Sequence, residues 1–208
     1  MKKTLRLCAG ALLALSFLAS AATLASEAVA RKPGEYPLTP DSLVQPDIPH
    51  GRLEGPFEFH SKIIESTVRR YWIFVPAQYD GKKPASVLVF QDGQRATNPD
   101  GPLRVQNVLD NLIHRGDLPV TIGIFITPGN RSEHYPNDLG MKNPDNRADE
   151  YDALNDRYAR FLVEEMLPLV GAKYRLTDDP EQRAIGGTSS GAICACWRAL
   201  AAGNRSPS

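Results

Sequence analysis

The spacing of apolar positions predicts strands and helices that begin only after some fifty residues. Phe57, Phe59, Ser61 and Ile63 alternate with Glu58, His60 and Lys62, the period-two pattern of a half-buried strand, and residues 69–75 read as a second strand ended by Pro76. Together they predict an antiparallel hairpin at a sheet edge. Residues 85–90 and 120–126 are near-continuous apolar runs, as parallel strands covered on both faces require. Between them Val105, Val108, Leu109, Leu112 and Ile113 recur at helical spacing, with Gly116 as the stop. A further helix is expected over residues 155–170, burying Tyr158, Phe161, Leu162, Met166 and Leu169, with Pro168 bending or ending its last turn. Residues 183–186 form a short strand, and residues 192–202 a helix with Ile193, Trp197 and Leu200 on one face and Gly203 as its stop. Two edge strands followed by alternating strands and helices describe a doubly wound, mostly parallel α/β sheet. One domain, residues 56–208, carries it, after an extended, proline-rich lead-in over residues 27–55.

The amino terminus changes the compartment. Lys2, Lys3 and Arg6 precede an uncharged run from Leu7 to Ser26 that is rich in Ala and Leu, the layout of a secretory signal peptide over residues 1–26, or up to residue 30. Ala19-Ser20-Ala21 and Ala28-Val29-Ala30 are both usable cleavage sites. An uncleaved anchor is the alternative, although the run is only marginally long enough to span a bilayer. A periplasmic or secreted product with no stable membrane association is therefore expected. The whole chain balances 24 basic against 24 acidic residues, and loss of the three basic residues of the signal leaves it slightly acidic, which speaks against a nucleic-acid partner. Of the three cysteines, Cys8 leaves with the signal. Cys194 and Cys196 sit two positions apart on a helix, where their side chains diverge too far for a disulfide. No metal-ligand spacing or cofactor motif occurs, so no metal or cofactor is expected.

The candidate chemistry lies at Gly187-Thr188-Ser189-Ser190-Gly191. This is G-x-S-x-G between a predicted strand and a predicted helix, the context of a nucleophile elbow, in which the positions two before and two after the serine must be small because the backbone folds back on itself. Ser189 is then the nucleophile. Acyl transfer by serine also needs a base for its proton and donors for the negative oxygen of the tetrahedral intermediate. The Ser190 N–H is one such donor.

Several segments together resemble the esterase D and enterochelin-esterase branch of the α/β-hydrolases, which is also similar to the antigen 85 acyltransferases. They are Tyr71-Trp72-Ile73-Phe74-Val75-Pro76, Phe90-Gln91-Asp92-Gly93-Gln94, the stretch from Tyr158 to Pro168, and the elbow, so the resemblance spans residues 57–196. It implies an α/β-hydrolase fold and a serine esterase acting on a small-molecule or carbohydrate ester. It also implies that the second oxyanion donor is the N–H of Gln94, and that Asp92 and Arg95 line the site and touch substrate. Asp92 could instead cap its turn, and Arg95 could be a solvated surface residue.

The chain departs from that pattern after the elbow. In this fold the acid and the histidine follow the serine, yet the nineteen residues after Ser189 contain no Asp, Glu or His, and all four histidines precede it. His50, His60 and His114 read as structural or solvated. His134 lies in a long segment, residues 127–150, that would sit at the carboxyl edge of the sheet, so the segment is expected to be a substrate-recognition lid with His134 as a contact, or a mobile surface loop, with a replacement base as the lesser role. The expectation is a carboxyl-terminally truncated esterase domain, poorly stable and inactive as written. The competing reading is a non-catalytic protein of the same fold that binds a carbohydrate or ester.

Overall fold

The computed structural model describes residues 37–138 and 144–195. Its centre is the most apolar run of the chain: β4 (Thr121–Ile126) is buried at every position, as a strand covered on both faces must be. β3 (Ser86–Gln91) pairs with it in parallel, Val87 opposite Ile122 and Phe90 opposite Phe125. β5 (Arg183–Gly186) lies parallel on the other side of β3. β2 (Val68–Val75) is antiparallel to β4, and β1 (Arg52–His60) is antiparallel to β2. The order is β1-β2-β4-β3-β5.

That order places the site. The chain leaves β3, forms the short α1 (Gly93–Ala96) and then α2 (Val105–Arg115), and enters β4 on one side of β3. It later returns to form β5 on the other side. Such a reversal opens a crevice at the carboxyl ends of the two strands flanking it, here β3 and β5. The two faces of the sheet are covered differently. Val105, Leu109 and Ile113 of α2 pack on Phe74 and Phe125, while Tyr151, Tyr158, Phe161, Met166 and Val170 cover Val87, Val89, Ile122 and Ile124 on the opposite face. Gly116, at φ 82°, ends α2 as its sequence predicts.

Three elements differ from the sequence-based expectation. The described part of the lead-in is held against α2, and β1 begins at Arg52, within the segment expected to be an extended approach. Asn111 Nδ2 donates to the carbonyls of Asp41 and Leu43, Asn107 Nδ2 to that of Ser42, and the Gly51 N–H donates to Asp110 Oδ1. Polar side chains of α2 therefore satisfy the backbone of a proline-rich strap. Apolar periodicity does not register contacts of this kind.

The strand phase also shifts. β1 contains Pro56 and slips register between Glu54 and Phe57, as edge strands with a proline do. Phe57 is consequently 38% exposed. Ser61 lies beyond the strand, where its Oγ donates to Glu165 Oε2 at 2.6 Å.

The helix over residues 157–171 continues through Pro168, as the expected range to residue 170 allows, but differs in the residues it buries. Pro168 has no N–H for the Glu164 carbonyl, and its ring would collide with that carbonyl in a regular helix. A π-helical turn over Phe161–Met166 resolves the conflict, with the Leu167 N–H donating to the Leu162 carbonyl. The extra residue in that turn rotates the buried face by one position. Val170 is buried and Leu169, expected inside, is 38% exposed. Beyond the elbow the inward residues are Cys194 and Ala195, with Ile193 59% exposed. Cys196, Trp197, Leu200 and Gly203 lie outside the described residues.

Candidate active site

β5 ends at Gly186, and the chain reverses through Gly187 and Thr188 into a helix over residues 190–195. At the apex Ser189 has φ 56°, a left-handed conformation that costs a residue with a Cβ about 1–2 kcal/mol. The turn is closed by the Gly191 N–H donating to the Thr188 carbonyl at 3.0 Å and the Ala192 N–H to the Ser189 carbonyl at 2.9 Å. The glycines are there for space. A Cβ on Gly187 would lie 2.8 Å from the Gly191 carbonyl carbon and 2.9 Å from Gln91 Oε1, and one on Gly191 would lie 3.3 Å from the same Gln91 atom. Ser189 itself is exposed.

The end of β3 meets this turn. Asp92 is also left-handed, φ 55° and ψ 46°, and Gly93 after it is pressed against β4, where a Cβ would come within 2.5 Å of the Ile126 nitrogen. Gln94 stands in the first turn of α1 and Ser190 opens the helix after the elbow. N–H groups in a first turn have no acceptor within their own helix. Gln94 and Ser190 thus each stand in the first turn of a helix at the ends of the strands that flank the crevice.

Asp92 departs from the turn-cap alternative. It is fully buried and does not cap its turn with its side chain. Arg147 instead donates from Nε to Asp92 Oδ1 at 2.9 Å and from Nη2 to Oδ2 at 2.8 Å. Both carboxylate oxygens are thereby engaged by Arg147. Arg95 is exposed at the end of α1.

His134 is placed by a contact with β1. Its side chain is 78% exposed and its Nδ1 lies 3.4 Å from Glu58 Oε2. Glu58 belongs to β1, four strand spacings from β5, or about 19 Å. His134 therefore stands at the far edge of the sheet, away from the crevice. His50 pairs with Asp110 of α2 at 3.3 Å, His60 ends β1, and His114 is exposed in the last turn of α2.

The segment after β4 is also tied down at both ends, more than a free surface loop would be. α3 (Arg147–Tyr151) carries Glu150, whose carboxylate forms a fork with Arg69 of β2 at 2.9 and 3.1 Å. Both side chains are fully buried. Glu150 Oε1 further accepts from the Gly129 N–H at 3.0 Å and from Asn146 Nδ2 at 2.7 Å. Arg69 also lies 4.1 Å over the Phe161 ring. The sequence carries one trace of this: Arg69 falls in phase with the inward positions Tyr71, Ile73 and Val75, and a charge in an apolar phase requires a buried partner. Arg147 leaves no such trace.

A strained, exposed serine between a strand and a helix, at the switch point of a doubly wound sheet, defines an α/β-hydrolase type of protein. Residues 64–206 match the family described as "Putative esterase", and the chain belongs to that esterase family. Similar solved structures include enterochelin esterase from Shigella flexneri, at 24% identity and TM-score 0.58 over 81% of this chain and 37% of that one. Another is the enterobactin esterase FES from Shigella flexneri in the presence of 2,3-di-hydroxy-N-benzoyl-glycine, at 23% and 0.56 over 81% and 38%. The CE1 ferulic acid esterase AmCE1/Fae1A from the anaerobic fungus Anaeromyces mucronatus matches at 17% and 0.54 over 77% and 58%. These likenesses show a shared fold. The chain spans less than two fifths of the length of the Shigella enzymes. No curated protein matches it.

Proposed function

We propose that this chain carries the nucleophilic half of a serine carboxylic-ester hydrolase, with Ser189 as the nucleophile and the N–H groups of Ser190 and Gln94 as the oxyanion donors. The observation that carries this reading is the positive φ of an exposed Ser189 in a turn that admits no side chain at Gly187. Strain at a non-glycine residue persists only where the surroundings enforce it, and it clusters where function needs it. The substrate is a small ester, with an acylated carbohydrate, a siderophore lactone and a simple ester all compatible with an open crevice. Arg95 is its surface contact beside the site. The first thirty residues act as a secretory signal that delivers the protein to the periplasm or beyond. Amino-terminal sequencing of exported protein should then begin between Ala22 and Arg31, and an intact Met1 overturns this part.

The nineteen residues that follow Ser189 here contain no histidine, Asp or Glu, so none of them can serve as its acid or base. In a well-studied serine protease, loss of any triad member leaves only about 10³–10⁴-fold catalysis over water. Exogenous imidazole supplies the test, because it can take the proton that an internal base would take. With a fluorophosphonate probe the Ser189 Oγ–phosphorus bond forms, fluoride leaves, and imidazole accepts the proton. The expected result is imidazole-dependent labelling of Ser189, absent in Ser189→Ala and unchanged in Ser190→Ala. Labelling that tracks Ser190 shows the turn to be read in the wrong register. Ester binding without any labelling of Ser189 favours the non-catalytic reading, which draws its support from the placement of all four histidines away from the crevice.

A further inference from the structure

Asp92 and Thr188 belong to the two strand ends that flank the crevice, and one side chain from a third element touches both. Arg147, at the start of α3, makes the two-bond fork on Asp92, and its Nη2 also lies 3.5 Å from the carbonyl oxygen of Thr188, the residue before Ser189. Its guanidinium carbon stands 5.1 Å from the centre of the Tyr151 ring, and the Asp92 N–H donates to the Tyr151 hydroxyl at 3.3 Å. Arg147 is 12% exposed and Asp92 is not exposed at all. Packing therefore holds this fork on most sides, unlike a surface pair that two flexible chains must find in solvent.

Both contacts fall one or two residues ahead of the groups that carry the chemistry. The left-handed backbone of Asp92 sets the direction of Gly93 and Gln94, and Thr188 leads directly into Ser189 and Ser190. Gln91 lies nearer the turn, yet neither atom of its buried amide makes a hydrogen bond among the described residues, so it packs against the elbow without orienting it. We propose, on the strength of the Ser189 reading above, that Arg147 is a positioning residue: its planar fork fixes the end of β3 to the elbow and so sets the separation and aim of the Gln94 and Ser190 N–H groups. It touches neither the substrate nor the reacting atoms. Its role depends on rigid bidentate geometry, which a lysine, a point charge on a flexible stem, does not reproduce.

The experiment uses the full chain, Arg147→Lys, and the double variant Asp92→Asn with Arg147→Met. The double variant avoids leaving the Asp92 charge buried alone, a change that alone can unfold a protein. Imidazole-dependent labelling of Ser189 and residue-resolved amide exchange are measured on each. Displacing groups that are pre-aligned for a reaction by about 1 Å lowers its rate about 100-fold. The expected result is a loss of labelling of about 10- to 100-fold in both variants, with melting temperature little changed in Arg147→Lys. Amide exchange should quicken at residues 93–95 and 187–192 but not in β3 or β4. Labelling at the wild-type rate in both variants overturns the positioning role while leaving the Ser189 reading intact. If the wild-type chain shows no labelling of Ser189, the functional reading fails, and exchange alone then decides the inference. Local acceleration at the two strand ends supports the clamp, and a uniform change or none overturns it.

Discussion

Two Arg–carboxylate forks meet on the same five-residue helix, and they differ in what surrounds them. Glu150 and Arg69 are both sealed from solvent, and Thr67, Gly129 and Asn146 add hydrogen bonds to the pair, while Arg69 Nε is buried without a hydrogen-bond partner among the described residues. Arg147 and Asp92 form a pair with one partner partly wet, and Asp92 has a strained backbone beside a second strained residue, Ser189. The first fork joins β2 to the segment after β4 in the interior. The second joins the ends of β3 and β5, where the sheet opens. One helix thus ties the molecule together with one residue and sets the geometry of its crevice with another.

Breaking the dry fork should produce the largest effect. Arg69→Met or Glu150→Gln leaves an unpaired group in the core and should cost about 3–5 kcal/mol, read as the shift in a urea midpoint. Replacing both members by apolar residues should recover most of that loss, because the pair itself contributes little net stability. If each single variant melts like the wild type, the two forks do not differ as described.

At the elbow the next effect should come from Gly187→Ala, whose Cβ has no room between Gly191 and Gln91. Forcing a methyl group into a filled space costs about 1–3 kcal/mol, and labelling of Ser189 should disappear even in the folded fraction. Normal labelling in this variant contradicts the geometry of the turn.

A smaller change of opposite sign is expected at Ser189. Ser189→Gly removes the left-handed penalty, part of which the greater freedom of the unfolded chain offsets, and should stabilise the protein by about 0.5–1 kcal/mol. Ser189→Ala retains the strain and should leave stability unchanged. Equal melting temperatures for the two variants contradict the claim that strain is stored at this residue.

The smallest effect is the control far from the crevice. Partial burial of Glu54 on β1 works to raise its pKa, but hydrogen bonds from Lys173, Tyr174 and Arg52 prevail and hold it at about 2. A depressed carboxyl contributes stability above its ordinary value near 4.5, and that contribution is lost as pH falls towards 2. Glu54→Gln should therefore cost under about 1 kcal/mol at neutral pH after solvent screening. It should also flatten the acid limb of the stability profile between those values, without altering Ser189 labelling.

Much of this architecture was legible in the pattern of residues. The runs at residues 85–90 and 120–126 are apolar on both faces because those strands are covered on both, and Gly116 stops α2 because the helix ends in a left-handed residue. The elbow was legible because its requirement is local: no side chain fits at Gly187. The misplaced details depend on other elements. Pro168 alone announces a bend or a stop, and only the π turn ahead of it decides that the helix continues and buries Val170 in place of Leu169.

The site divides along the same line. The sequence alone determined a strand–turn–helix with a serine at its apex, since that depends on neighbours in the chain, while Gln94 as a candidate donor came only from the family resemblance. The tertiary structure decided that Asp92 is held by Arg147 and that His134 stands at the opposite edge of the sheet. It also decided that Arg69 finds its carboxylate on a helix 81 residues away. Contacts between side chains so far apart in sequence depend on how the strands are ordered in space, and no local spacing encodes that order.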